Sequence, residues 1–206
     1  MYQAILRIAS RALGWRKPIL VSGAGSVKKV AGLIKEKGIS RVLLVTDKGL
    51  TSIHLPDGLI ESLKSEGISC FVYDGTQPNP TFENIEQAEK LYSENKCQAF
   101  VAFGGGSPMD CAKAAAARIV RPNKPIKSMR GLFKVGKKLP PFFAVPTTAG
   151  TGSETTIAAV VTDSTTHEKY AINDLHLIPH YAVLDPELTL GLPPHITSTT
   201  GMDALT

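Results

Sequence analysis

The 206-residue sequence contains no apolar run approaching the roughly 20 residues that a membrane-spanning helix requires, so no transmembrane helix and no membrane partner are expected. Cysteine is scarce: Cys70, Cys97 and Cys111 are odd in number, widely spaced and include no CxxC pair. Neither a disulfide framework nor a zinc cluster is built that way, and a soluble protein in a reducing, cytoplasmic setting is expected. Internal repeats and low-complexity tracts are also absent. The formal charge is +5, but lysines and arginines are interleaved with acids, so no basic face for nucleic acid is formed. Acidic residues are missing from the first stretch, MYQAILRIASRALGWRKP, where Ile5, Leu6, Ile8, Ala9 and Leu13 recur at helical spacing between basic residues. A short docking helix over 1–16 is expected there, and the same pattern also describes an organelle transit peptide.

What remains is an ordinary globular composition, long enough for one sizeable core. From Lys17 on, short β-branched runs alternate with amphipathic segments, the pattern of a sheet with crossover helices. PILVSG reads as a strand, Ser26 as the cap of a helix with Val27, Val30, Ala31, Leu33 and Ile34 inward, and Gly38 as its stop. RVLLVTD is apolar on both faces, hence a fully buried strand. PDGLIESLKSEG, CFVYDG, TFENIEQAEKLYSENK (opened by Thr81) and QAFVAFGGG continue the alternation of helix and strand. An alanine-rich helix, SPMDCAKAAAARIV, leads into a basic loop, RPNKPIKSMRGLFKVGKKLPP, that has no apolar period. FFAVPTT is then a strand, IAAVVTD and KYAIN a hairpin, and YAVLD a last strand, with the domain closing near Leu190. The final HITSTTGMDALT reads as the start of a further helix capped by Thr197.

Two stretches carry chemistry. FGGGSPMDCAK runs from a strand through Gly104, Gly105 and Gly106 straight into a helix, with Ser107 as expected N-cap, Pro108 as first helical residue and Asp110 three positions after the cap. Glycines let the backbone approach a ligand, and the free N–H groups and positive helix end suit a pyrophosphate. The usual GxGxxG fingerprint is not there. Asp47, ending RVLLVTD, is placed either to accept hydrogen bonds from an adenosine ribose, favouring NAD over NADP, or to cap the helix that follows. PTTAGTGSE, residues 146–154, offers the hydroxyls of Thr147, Thr148, Thr151 and Ser153 on a flexible loop at the sheet's carboxyl edge, where open α/β folds bind ligands.

Three features weigh less. GLFKVGKK nearly spells a P-loop, but Lys138 stands where a Ser or Thr would hold magnesium and no helix follows. His176 and His180 are spaced as a metal pair with Asp185, but Pro179 interrupts any regular helix between them. Glu154 is a lone carboxylate better suited to buried hydrogen bonding than to acid–base work.

GGGSPMDCAK, PTTAGTGSE, LDPELTLGLPP and TGMDALT, in this order, closely resemble the iron-dependent (group III) alcohol dehydrogenases, from about Lys17 to Thr206. The resemblance implies a Rossmann-like α/β domain over 17–190 and, over 191–206, the start of an all-helical metal-binding domain. Gly105, Gly106 and Ser107 would hold the pyrophosphate of NAD, and Asp110 would be a further cofactor-binding residue. Asp47 and Asn79 would lie near the adenosine, Thr147, Thr148 and Thr151 along the inner groove, and Lys169 near a ribose. Asp203 would be the first ligand of Fe(II), or of zinc, which suits the same donors. The family's next ligand would fall at position 207, so the chain reads as a cofactor-binding portion, inactive alone, of an NAD-dependent enzyme acting on a small alcohol or aldehyde, and a homo-oligomer is expected. A stand-alone nucleotide-binding module and a glycerol dehydrogenase- or dehydroquinate synthase-like enzyme remain as alternatives.

Overall fold

The computed structural model describes residues 15–206; the helical extension expected over 1–16 lies outside the described residues except for Trp15 and Arg16. Strands occupy β1 (Ile19–Ser22), β2 (Arg41–Val45), β3 (Ser69–Tyr73), β4 (Ala99–Gly104), β5 (Gly131–Leu132), β6 (Phe142–Pro146), β7 (Ala158–Thr162), β8 (Lys169–Asn173) and β9 (Tyr181–Leu184). The α-helices are α1 (Lys29–Glu36), α2 (Lys48–Ser52), α3 (Asp57–Ser65), α4 (Phe82–Glu94), α5 (Gly106–Val120) and α6 (Pro194–Leu205). Six strands form one parallel sheet in the order β1-β9-β6-β4-β2-β3, and β5, β8 and β7 form a small second sheet. Within the large sheet Leu43 pairs with Phe71 and with Phe100, and Phe100 pairs with Phe142.

Alternate residues of each strand feed two cores. Leu43, Val45, Phe100, Ala102, Phe142 and Ala144 pack under α4 and α5; Val42, Leu44, Val101, Phe103, Phe143 and Val145 pack under α1 and α3. A parallel sheet covered on both faces has no solvent side, which explains the unbroken apolar runs. Five of the nine buried residues of α5 are alanine, Ala112 and Ala114 to Ala117, so this helix backbone approaches the sheet closely while keeping high helix propensity. Helix α4 starts as expected: the Thr81 hydroxyl accepts from the Asn84 N–H and the Asn84 side chain accepts from the Thr81 N–H. No helix among the described residues is long and apolar enough to cross a membrane.

Four expectations are corrected. Ser26 does not cap α1: residues Ser26–Lys28 form a 3-10 turn and the Ser26 hydroxyl is buried without a partner among the described residues. The carboxylate of Asp185, just past β9, accepts instead from the N–H groups of Gly25 (3.2 Å), Val27 (3.0 Å) and Glu187 (3.1 Å). Strand β9 lies beside β1, so a residue 160 positions away stands nearer those donors than any local hydroxyl. Ser107 is not the cap of α5, because the helix already begins at Gly106 with Gly105 in the cap position. Nor does Thr197 cap α6, which starts at Pro194, whose fixed φ and missing N–H suit a first helical residue. The basic segment 121–141, lacking any period, is nonetheless anchored: Ile126, Met129, Val135 and Leu139 are buried, and Asp174 accepts from the N–H groups of Val135 (3.0 Å) and Gly136 (2.9 Å). Those burials are separate tertiary contacts, which periodicity does not register.

Replacing Asp185 leaves the half-buried N–H groups of Gly25 and Val27 unpaired in the turn that leads into α1. Asp185→Ala is therefore expected to lower unfolding free energy by about 2–3 kcal/mol, read from urea denaturation; an unchanged midpoint would remove the carboxylate from this role.

Candidate functional site

Strand β2 passes its chain through α2 and α3 toward β3, while the neighbouring β4 passes its chain through α5 toward β6 on the other side. Where adjacent parallel strands send their connections opposite ways, the carboxyl ends open into a crevice. Asp47 follows β2 there, Gly105 and Gly106 follow β4, and Thr147 and Thr148 follow β6. All of them, with Ser107, line one cleft of about 1220 Å³. A second hollow of about 570 Å³, bordered by Phe82, Arg118, Ile126 and Asp163, contains none of the expected residues.

The three glycines have separate causes. Gly104 has φ +144°, a conformation L side chains rarely adopt, and a Cβ on it would lie 2.7 Å from Cγ of Pro108. Cβ atoms at Gly105 and Gly106 would lie 3.3 Å from Oγ1 of Thr148 and 3.3 Å from Cγ2 of Thr151. The second motif therefore lies directly on the first, and the Thr147 N–H donates to the Gly104 carbonyl (3.0 Å). The first N–H groups of the 15-residue α5 have no partner within the helix, and they begin at this turn. The Thr148 hydroxyl is buried with no hydrogen-bond partner among the described residues. A buried donor–acceptor group left open at the edge of a glycine cradle is complementary to a polar ligand.

Asp47 both caps and lines. Its Oδ1 accepts from the Leu50 N–H (3.0 Å) at the start of α2, and the residue also borders the cleft, so the two sequence readings are compatible. Asn79 adopts φ +57° and donates its N–H to the Ser107 hydroxyl at 3.4 Å, tying its turn to the start of α5 without bordering the cleft itself. Asp110 turns away from the cleft: it accepts from the Ser153 hydroxyl (2.9 Å) and the Val160 N–H (3.1 Å), and burial raises its carboxyl pKa above the usual range. Lys169 is exposed at the start of β8, opposite Thr162, and does not border the cleft.

Asp203 is exposed on α6, and the loop meets it through Gly150. At φ +123°, Gly150 leaves no room for a side chain: a Cβ would sit 2.3 Å from the Thr200 carbonyl oxygen and 2.9 Å from Cβ of Asp203. The 146–154 loop thus touches the glycine turn on one side and the Asp203 helix on the other. No group of three or more His, Cys, Asp or Glu able to hold a metal occurs among the described residues. His176 bonds Asp174 (2.7 Å), and Nδ1 of His180 accepts from the Phe142 N–H (3.2 Å). Burial first, and then Arg16 and Lys37, push the His180 pKa down to about 4, so this ring is neutral and structural. The P-loop-like stretch is β5 followed by an irregular turn.

Two groups of residues escaped the sequence reading. Thr76 and Gln77 beyond β3, and the apolar wall of Leu188, Leu192, Pro193 and Ile196, border the cleft only because the chain folds back on itself. Lys113 is fully buried, and its Nζ donates to Ser153, Thr156 and Ala158. Its signal was available: a lone cation within an alanine run that is apolar all round.

The sequence matches the family model described as iron-containing alcohol dehydrogenase over residues 18–186. It is 42% identical over 184 residues to alcohol dehydrogenase 4 of Schizosaccharomyces pombe, covering 89% of this chain and 43% of that protein. The fold matches a crystal structure of 1,3-propanediol oxidoreductase with a TM-score of 0.89 at 34% identity, covering 93% of this chain and 50% of that one. It also matches sulfoacetaldehyde reductase from Bifidobacterium kashiwanohense, solved in complex with NAD+, at a TM-score of 0.81 and 33% identity, covering 92% of this chain and 50% of that one. The chain spans about half the length of the relatives it matches.

Gly104→Ala places a side chain on a positive φ and against Pro108. It is expected to lower unfolding free energy by about 2 kcal/mol, measured by chemical denaturation; wild-type stability would show that the turn relaxes freely.

Proposed function

Since the chain belongs to the iron-containing alcohol dehydrogenase family, we propose that it binds NAD(H) in the cleft at the carboxyl edge of its sheet. In this reading residues 17–190 are the dinucleotide-binding domain, 191–206 begin a helical metal-binding domain, and the whole enzyme interconverts a small alcohol and its aldehyde. The observation that carries the reading is the close packing of Thr148 and Thr151 on Gly105 and Gly106, with the Thr148 hydroxyl buried and unpartnered among the described residues.

The residues present fit the cofactor. Gly105, Gly106 and Ser107 offer backbone N–H groups and the positive end of α5 to a diphosphate. Asp47 accepts from ribose hydroxyls and repels a 2′-phosphate, while Asn79 holds the adjoining turn against Ser107. Thr147 and Thr148 border the inner groove, Thr151 packs on Gly106 beside it, Asp110 braces the loop from behind, and Lys169, outside the cleft, has no part in this reading. Bound nicotinamide supplies the hydride acceptor or donor. The same fit does not extend to iron: the described residues offer a single family ligand, the Asp203 carboxylate, and no complete donor set. What the chain contributes there is placement, through the contact of Gly150 with the helix bearing Asp203.

The absence of a membrane-crossing helix among the described residues and the free thiols of Cys70, Cys97 and Cys111 support a cytoplasmic protein. Exposed Ile19 and Leu20 on the edge strand β1 support a homo-oligomer.

Titration of the chain with NADH and NADPH, followed by nicotinamide fluorescence, tests the reading. NADH is expected to bind more tightly, and Asp47→Ser, which keeps a helix cap, is expected to narrow the preference roughly tenfold. Tighter NADPH binding by the unsubstituted chain would overturn the role of Asp47, and binding of neither would overturn the site.

A further inference from the structure

We infer that Lys113, coupled to Asp110 through the hydroxyl of Ser153, is a positioning residue for the cofactor groove: it holds the 146–154 loop so that Thr148 and Thr151 stand against the glycine turn. The inference rests on the NAD(H) reading of the cleft.

Lys113 lies on α5 with no solvent exposure, yet its ammonium hydrogen-bonds among the described residues to acceptors of the segment 153–158. Nζ donates to the Ser153 hydroxyl (3.2 Å), the Thr156 carbonyl (3.1 Å), the Thr156 hydroxyl (3.0 Å) and the Ala158 carbonyl (3.0 Å). Three N–H donors serve four acceptors. Asp110, one turn earlier on the same face, accepts from Ser153 (2.9 Å) and from the Val160 N–H (3.1 Å). Ser153 is thus a relay, accepting from Lys113 and donating to Asp110. Desolvating an ammonium is costly, and an alanine-rich helix needs only packing at this position, so the buried charge performs some task beyond filling space.

The loop's geometry identifies that task. Its first end is anchored by the Thr147 N–H on the Gly104 carbonyl. Its far end is anchored by Lys113 and Asp110. Between them Gly150 (φ +123°) and Gly152 (φ +60°) leave the backbone little intrinsic preference, and the two threonines that meet Gly105 and Gly106 lie in this span. Releasing the far anchor frees the wall of the groove, while the strands of the six-stranded sheet keep their own pairing.

The charged groups facing Lys113 are Asp110 on its own helix and Glu154 on the loop; burial outweighs both and pushes its pKa down to about 8. Above that pH it loses a proton and one of three donors. Because the unfolded chain keeps this proton up to the ordinary value of 10.5, the group makes the fold more stable as pH rises from about 8 to 10.5. NADH affinity should fall over the same range. A merely structural lysine would not give these opposite trends.

The test is NADH titration of the full 206-residue chain and of Lys113→Met and Ser153→Ala from pH 7 to 9.5, with thermal unfolding alongside. At pH 7 Lys113→Met is expected to raise the Kd roughly tenfold and to lose the alkaline fall in affinity. Ser153→Ala, which leaves Lys113 its other acceptors, decides the matter if Lys113→Met does not unfold cooperatively; it is expected to raise the Kd roughly threefold. A folded Lys113→Met with wild-type affinity, or with weakened affinity but an unchanged pH profile, would overturn the inference, and so would a Ser153→Ala that binds NADH as the unsubstituted chain does. Failure of the unsubstituted chain to bind NADH would instead overturn the cofactor reading and this inference with it.

Discussion

Everything at the carboxyl edge of the sheet depends on how closely the 146–154 loop approaches the turn at 104–106. Methyl-sized groups on Gly105 or Gly106 would already press on Thr148 and Thr151 at 3.3 Å, so the two segments are fitted to each other. The fit places hydroxyls beside the open N–H groups of α5 and makes one cleft from two strand ends. It also extends outward, since Gly150 in the same loop bears against Thr200 and Asp203 on α6. The cleft proposed for the cofactor and the Asp203 carboxylate proposed for the metal therefore share one short wall.

Buried charges hold the wall and its surroundings. Asp185 joins the end of β9 to the start of α1, Asp174 holds the basic segment at Val135 and Gly136, and Lys113 with Asp110 holds 153–160. Each is a side chain serving several backbone groups far away in sequence. Such groups are retained where irregular backbone needs partners that neither a helix nor a sheet can supply. The apolar cores stabilise the layers, and these charges determine where the loops between layers run.

The elements themselves were largely legible. Strand after strand matched its apolar run, Thr81 opened α4 as its capping box predicts, and the hairpin of β7 and β8 paired antiparallel. Errors fell at boundaries and in irregular stretches. Ser26, Ser107 and Thr197 each have the chemistry of a cap, yet a distant carboxylate, a glycine and a proline took those positions. In the site, the residues carried by the two motifs came together, whereas Asp110 turned to the interior and Lys169 stayed outside. Local pattern marks which residues are able to bond but not which partner reaches them first.

By itself the sequence determined the alternation of strands and helices, burial of the sheet on both faces and the glycine–hydroxyl chemistry at its carboxyl edge. These follow from periodicity and residue type, which act over a few positions. Only the tertiary structure decided that Thr148 meets Gly105, that Asp203 abuts Gly150, and that Lys113 reaches across 40 residues to Ser153. Those pairings are settled by the strand order β6-β4-β2, which brings distant chain segments within bonding distance and leaves no trace in local spacing.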